Sequence, residues 1–250
     1  GQVNIYNWDG DLLWNYIVSG IVPGANSSNG MQHHHDIEPM PNGNVLIIAW
    51  ERLYSSEWQD LGVDGVDNSF NQMWATAILE VEPNFETGGA NIVWEWYIKD
   101  HLVQDIDFSL PNYGSISEHP ELMDANCGNI GSSGPGGDAN GDWMHINAID
   151  YNEDLDQIVL SSRFQDEIYI IDHSTTTQEA AGHTGGNSGK GGDFLYRWGN
   201  PENYRRGSSS DHWLGDQHSI NWIDRESPGE GNLICYVNRY TNTYAAVLEF

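Results

Sequence analysis

Three histidines, His35, His145 and His218, head segments that overlay without a gap up to the following turn. The first continues Asp-Ile-Glu-Pro-Met-Pro-Asn-Gly-Asn into Val45-Leu-Ile-Ile. The second continues Ile-Asn-Ala-Ile-Asp-Tyr-Asn-Glu-Asp into Ile158-Val-Leu, and the third continues Ser-Ile-Asn-Trp-Ile-Asp into Leu233-Ile-Cys. Asn147 follows His145 by two residues, so on a strand both side chains share one face. Arg163 closes the next apolar run, within reach of both. Three imidazoles, one amide and one guanidinium make a positive cluster suited to an anionic group. Imidazoles also ligate Zn²⁺ or copper, but an arginine in the same shell repels a cation. Taken singly, each histidine is more readily a turn cap or an interstrand hydrogen bond than a catalyst; the shared position, with Asn147 and Arg163, carries the functional reading. His33 and His34 complete a run of three with His35, and at least one of them is expected to point away.

Strands must position these residues. Alternating or β-rich runs, bounded by turn residues, predict strands at Gln2–Trp8, Leu12–Ile17, Val45–Trp50, Ala75–Val81, Ile92–Ile98, Ile158–Ser162, Glu167–Ile171, Phe194–Trp198, Leu233–Val237 and Ala245–Phe250. No long amphipathic helix is evident, and only Asp100–Ile106 suggests a helical turn. With the three histidine strands added, the runs group in fours. That pattern predicts an all-β chain, a β-propeller of four-stranded blades with about three to three and a half blades present. Residues 1–17 are read as the outer strands of one blade, 31–99 and 142–199 as two whole blades, and 215–250 as an incomplete fourth, all in a single domain. A closed ring needs more blades. The chain is therefore expected to be a piece of a longer protein, or to be completed by other copies in a homo-oligomer.

Composition narrows the partners. Thirty-seven acidic against nine basic residues give a net charge of −28, which excludes nucleic acid and anionic membrane surfaces as expected partners. No apolar run approaches the roughly 20 residues that span a bilayer. Without an initiator Met or a signal peptide, the chain reads as a mature or excised segment. Cys127 and Cys235 are one disulfide or two free thiols. Two glycine-rich connections, Asp100–Gly141 and His173–Gly192, lack the context of a phosphate loop and are expected to face solvent. Asp138, Asn140 and Asp142 form a weak calcium candidate. Trp143 stands where the loop needs glycine and no bidentate Glu follows, so an Asx-rich turn is favoured and no metal is assigned.

The stretches His34-His-Asp with Pro41-Asn-Gly-Asn-Val-Leu, Asp142-Trp-Met-His-Ile-Asn with Asp156-Gln-Ile-Val-Leu-Ser-Ser-Arg163, and Gly215-Asp-Gln-His218 resemble the bacterial arylsulfate sulfotransferase family, as do Ile171-Asp-His-Ser-Thr-Thr-Thr and Tyr196-Arg-Trp-Gly-Asn-Pro201. The resemblance covers most of the chain. It implies a six-bladed propeller with its active site at the central channel; the later blades are absent from this sequence. It further implies that His218 is the nucleophile and that His35, His145, Asn147 and Arg163 occupy the other active-site positions. The expected reaction moves a sulfuryl group from an aryl sulfate to a phenolic acceptor through a sulfohistidine. It needs no PAPS and no other cofactor, and the expected location is periplasmic or extracellular. In that scheme Arg163, Asn147 and His145 bind the sulfuryl oxygens while His35 or His145 carries the proton. A non-catalytic extracellular propeller that binds a ligand or assembles through open edges is the competing expectation.

Overall fold

Neighbouring strands joined by turns lay down one sheet after another along the chain. The computed structural model describes residues 1–131, 139–241 and 244–250. β1 (Gln2–Tyr6) and β2 (Leu12–Ile17) form an antiparallel pair. β3 (Ser19–Gly20), β4 (Met31–Pro39), β5 (Val45–Tyr54), β6 (Gln72–Pro83) and β7 (Ala90–Tyr97) form a five-stranded antiparallel sheet. The two-residue strands β8 (Leu102–Val103) and β9 (Met123–Asp124) pair in parallel. β10 (Ile146–Asn152), β11 (Gln157–Ser162), β12 (Glu167–Asp172) and β13 (Tyr196–Trp198) form a four-stranded sheet. β14 (Gln217–Trp222), β15 (Leu233–Thr241) and β16 (Tyr244–Glu249) form a three-stranded one. The fold is all-β, with helix confined to short turns such as α1 (Ser55–Asp60) and α2 (Thr177–Ala180).

Period-two alternation explains how the sheets stack. In β5, Val45, Ile47 and Ala49 point into one apolar layer, shared with Val3 and Trp14 of the first pair. Leu46 and Ile48 point into the opposite layer, shared with Ile146, Ile149 and Leu160. The four-stranded sheet repeats the device: Ile158 and Leu160 face back to that layer, whereas Val159 and Ile168 face Ile220 and Val237 of the last sheet. Each inner sheet is thus buried on both faces, which is why its strands read as apolar runs. Burying a side chain such as Leu46 or Ile78 contributes about 1.5–3 kcal/mol.

The polar connections behave differently from the expectation of solvent-facing loops. Within Asp100–Gly141, Ile116, Met123, Ala125 and Ile130 are buried. Gln104, itself buried, accepts from the backbone N–H of Ile106 and Asp107 at 2.8 Å and holds the loop in shape. Polar composition conceals this burial because a single amide satisfies several backbone groups. The segment His173–Gly192 wraps the Asp172 carboxylate, which accepts from the backbone of Ser174 and Ser188 at 3.0 and 2.8 Å. Gly192 then passes so close to the Ala180 carbonyl that a Cβ would lie 2.1 Å from it, and its own carbonyl accepts from Trp96 Nε1 at 2.8 Å. The predicted helical turn lies earlier than Asp100–Ile106, at Ile98–Asp100. Cys127 and Cys235 are free and buried, in different apolar layers. Burial pushes their thiols up to about 12 and about 11, which makes both inert.

The first strands of the three larger groups, β4, β10 and β14, run beside one another. Side chains tie them: Asn147 Nδ2 donates to the Gln217 carbonyl at 2.8 Å, and Asp150 accepts from the Trp222 N–H at 2.6 Å. This juxtaposition brings distant histidines together.

Candidate functional site

Each histidine segment carries a β-bulge. The register breaks between His33 and Ile37, between Ile146 and Ala148, and between His218 and Asn221. His35 and His145 take up the left-handed backbone themselves, at φ 54° and 51°, whereas in the third segment Ser219 does so at φ 54°. The ungapped histidine overlay is therefore offset by one residue in the backbone of the third segment. A bulge also removes the simple alternation that put His145 and Asn147 on one face. Left-handed non-glycine residues cost about 1–3 kcal/mol and concentrate at functional sites.

His145 is buried and T-shaped against His35, with ring centroids 4.7 Å apart. Its Nδ1 donates to Asp142 Oδ2, a short contact that fixes the ring. Asp142 is itself held in place, because Trp74 N–H of β6 donates to the Gly141 carbonyl at 2.8 Å and Asn140 Oδ1 accepts from Asp142 N–H at 3.0 Å. Asn140 and Asp142 are thus spent on an Asx turn and a histidine, and Asp138 lies outside the described residues. Phe164 packs against His145 at 4.6 Å, and the Arg163 guanidinium lies 5.4 Å from the centre of the Phe164 ring.

Asp216 organises the other half. Its carboxylate accepts from Arg163 Nε at 3.1 Å and is ion-paired with Arg239, whose Nε lies 2.6 Å away. Its backbone carbonyl lies 2.9 Å from His218 Nδ1. A carbonyl can only accept, so a neutral ring making this bond carries its proton on Nδ1 and leaves the Nε2 lone pair free. Asn238 Nδ2, 3.0 Å from that same Nδ1, donates one of its two N–H groups to the Asp216 carbonyl at 2.8 Å. His218 and Arg163 are half-buried and His35 is exposed, so the cluster opens to solvent.

The charge differs from the purely positive cluster expected. Asp142 faces His145 and Asp216 faces both arginines, because partly buried cations in a protein are paired. His35, open to solvent on one side, is pushed down to about 4, first by the partial desolvation of its ring and then by the charges of His145, His218 and Arg163. Asn147 departs from the expectation of an open ligand. It is buried, one N–H is given to Gln217, and its Oδ1 has no partner.

His34, which the histidine run alone did not single out, belongs to the cluster. Gln32 pairs with Trp50 across the ladder, and His34, two residues on, stacks over the Trp50 ring at 3.6 Å. It is 6% exposed, and its ring lies 4.1 Å from His35 and 4.8 Å from His145. Burial, followed by the neighbouring imidazoles, pushes it down to about 2. Neither ring nitrogen makes a well-formed hydrogen bond, and the Ile146 backbone exerts only the weakest of the influences on its protonation. Asp142, Asp216 and His34 all lie inside the motifs quoted from the sequence, close to a histidine. Their roles depend on contacts between sheets that spacing does not encode.

The family model described as Arylsulfotransferase (ASST) matches residues 18–247. No curated protein matches. Among solved structures, a chain of hydrazine synthase from Kuenenia stuttgartiensis is similar over 100% of this chain and 51% of its own, at 12% identity and a TM-score of 0.42. The chain therefore spans about half the length of that structure, and a likeness this low carries no argument about chemistry.

Proposed function

The chain belongs to the arylsulfotransferase family, and from that premise we propose that it transfers a sulfuryl group from an aryl sulfate to a phenol with His218 as nucleophile. One observation carries the reading: Asp216 orients the His218 ring through its carbonyl and the Arg163 guanidinium through its carboxylate. A nucleophile with a free Nε2 then stands beside a fixed cation, which is what attack at an anionic sulfur requires. The Nε2 lone pair attacks sulfur and the sulfur–aryl oxygen bond breaks, leaving a sulfohistidine and an aryl oxide that takes a proton. The phenol oxygen next attacks the same sulfur, the sulfur–nitrogen bond breaks, and the phenol proton returns to the protein.

His145 is the better proton carrier of the two candidates. Asp142 backs its Nδ1, whereas His35, depressed to about 4, is a neutral ring near pH 7 with no acidic proton to give. Arg163, with the spare N–H of Asn147, binds the sulfuryl oxygens. His35 lines the opposite side as a neutral donor or acceptor. The stacked sheets support a propeller in which β4, β10 and β14 are the innermost strands, bounded as 31–99, 142–199 and 215–250, with residues 1–17 from a further blade. A ring of six such units would close over the histidines, and a periplasmic or extracellular setting goes with this reading. No cofactor enters the scheme.

Purified protein is expected to release nitrophenol from a nitrophenyl sulfate with ping-pong kinetics when a phenol is supplied. His218→Ala should lower that rate by a factor on the order of 10³ or more. Parent-like transfer by His218→Ala removes the assignment. The reading of a non-catalytic propeller that binds or assembles through its outer sheets is favoured by one observation: Trp8, Leu12, Leu13 and Ile17 at one end, and Tyr236, Tyr244 and Val247 at the other, are exposed. That reading expects no turnover at all.

A further inference from the structure

We propose that His34, His35 and His145 form a binding site for a late first-row divalent cation, with Zn²⁺ as the natural occupant. One ring nitrogen from each lies within 4.8 Å of the others. Tetrahedral bonds of about 2.0–2.1 Å would bring such nitrogens to roughly 3.4 Å, a change that small ring rotations supply. Three features beyond proximity point to a ligand. His34 is nine-tenths buried with both ring nitrogens lacking a well-formed hydrogen bond, a costly state that a metal bond relieves. His145 gives its Nδ1–H to Asp142, leaving Nε2 to ligate; this carboxylate–histidine arrangement is the one that orients and strengthens metal-bound imidazoles. Three rings packed at 4.1–4.8 Å repel one another when charged, and a shared cation turns that repulsion into ligation.

The repulsion expected from an arginine is blunted here. Arg163 is committed to Asp216, and His34 rather than His218 supplies the third imidazole. Three protein ligands leave a fourth position open on the solvent side of His35, for water or an oxyanion. The binding claim stands without sulfuryl transfer. If the transfer reading also holds, Zn²⁺ occupies two of its residues and inhibits it. A second cluster, His101, His183 and Asp193, serves as an internal control, because His101 already spends both nitrogens on Asp193 and the Ala180 carbonyl.

The test is equilibrium dialysis of the chain, purified without a metal-affinity tag, against Zn²⁺, with Co²⁺ as a spectroscopic probe. One Zn²⁺ per chain is expected, together with the visible absorption of four-coordinate Co²⁺. His34→Phe keeps a ring on Trp50 but removes both nitrogens, and should weaken binding at least tenfold. Asp142→Asn should weaken it about 10–100-fold. His183→Ala should leave it unchanged. Circular dichroism of each variant establishes that it is folded. Should His34→Phe not fold, the parent and His183→Ala decide: stoichiometric Co²⁺ with three-imidazole spectra in both supports the site. Absence of stoichiometric binding by the parent overturns it, as does parent-like binding by folded His34→Phe or loss of binding in His183→Ala. Because binding is read without any sulfate ester, a failure here leaves the nitrophenyl sulfate assay to judge the transfer reading separately.

Discussion

Asp216 serves two neighbours with two parts of itself, and this gives a residue-scale prediction. Replacing its carboxylate with an amide removes the charge partner of Arg163 and Arg239 but leaves the carbonyl that faces His218. Asp216→Asn is expected to lower kcat/KM for a nitrophenyl sulfate by about 10²-fold, because a free guanidinium no longer points at the sulfuryl oxygens. A sulfohistidine should still form in a single turnover, detectable as a burst of nitrophenol, whereas His218→Ala should show none. Equal loss of burst and turnover in both variants would mean that Asp216 only maintains the fold. Asp216 and Asp142 stood in plain view as residues two and three positions before a histidine. Their partnerships were hidden, since Arg163 and Arg239 reach Asp216 from different sheets.

At the scale of elements, His173 joins two sheets by accepting no compromise in its hydrogen bonding. Its Nε2 lies 3.0 Å from Glu80 of β6 and its Nδ1 lies 2.7 Å from Asp156, in the turn before β11. Burial opposes the charged ring, but the two carboxylates outweigh it and raise the imidazole above its ordinary 6.5. A raised folded value means the folded state holds the proton more tightly. This contribution is whole below 6.5 and is lost as pH rises through the folded value. Glu38, pushed up to about 7 by burial and then by Asp150, Asp36 and Asp224, acts with the same sign: its term is complete below 4.5 and lost through about 7. Urea midpoints should therefore fall from about pH 4.5 through about pH 7 as Glu38 ionises, and go on falling above pH 6.5 as His173 loses its proton; the fall above 6.5 should be shallower in His173→Gln. An unchanged slope would show that the clamp does not couple the sheets. The strands themselves were legible because turn residues bracket apolar runs. The one-turn helix α1 was not: it rests on Glu57 reaching back to the Tyr54 N–H at 2.8 Å and on the burial of Trp58, too short a segment for periodicity.

Across the whole molecule, nine cations cannot neutralise 37 carboxylates, and six of the nine are already ion-paired. Arg197 pairs with buried Glu167, Lys99 with Glu51, and Arg205 and Arg225 with surface aspartates. The remaining charge repels itself over the folded surface, and unfolding spreads it out. Added salt should stabilise the chain. Raising NaCl from about 0.05 M to about 1 M, which shrinks the Debye length to about 3 Å, is expected to lift Tm. The gain is roughly 2–4 °C for each kcal/mol of repulsion screened. A flat or falling Tm in differential scanning calorimetry would mean that local ion pairs dominate instead. Composition made this property readable at once. The order in which the sheets stack also follows from alternation, as Leu46 and Val45 in opposite layers illustrate. The bulges that set the histidines leave no mark in hydropathy, because one inserted residue changes register without changing polarity.

The two halves of Asp216 differ in how an experimenter can reach them. Substitutions that tolerate the left-handed backbone, such as asparagine or glycine, remove the carboxylate and keep the carbonyl that steers His218. A mutational scan would score the position by its effect on the arginines and on a left-handed backbone at φ 47°, and report nothing of its hold on the imidazole. Exchanging Gln217 for the corresponding α-hydroxy acid would convert the preceding amide into an ester and weaken its oxygen as an acceptor, at the added loss of the residue 217 N–H. Semisynthesis, rather than mutagenesis, is the chemistry that can address the hidden half of this residue.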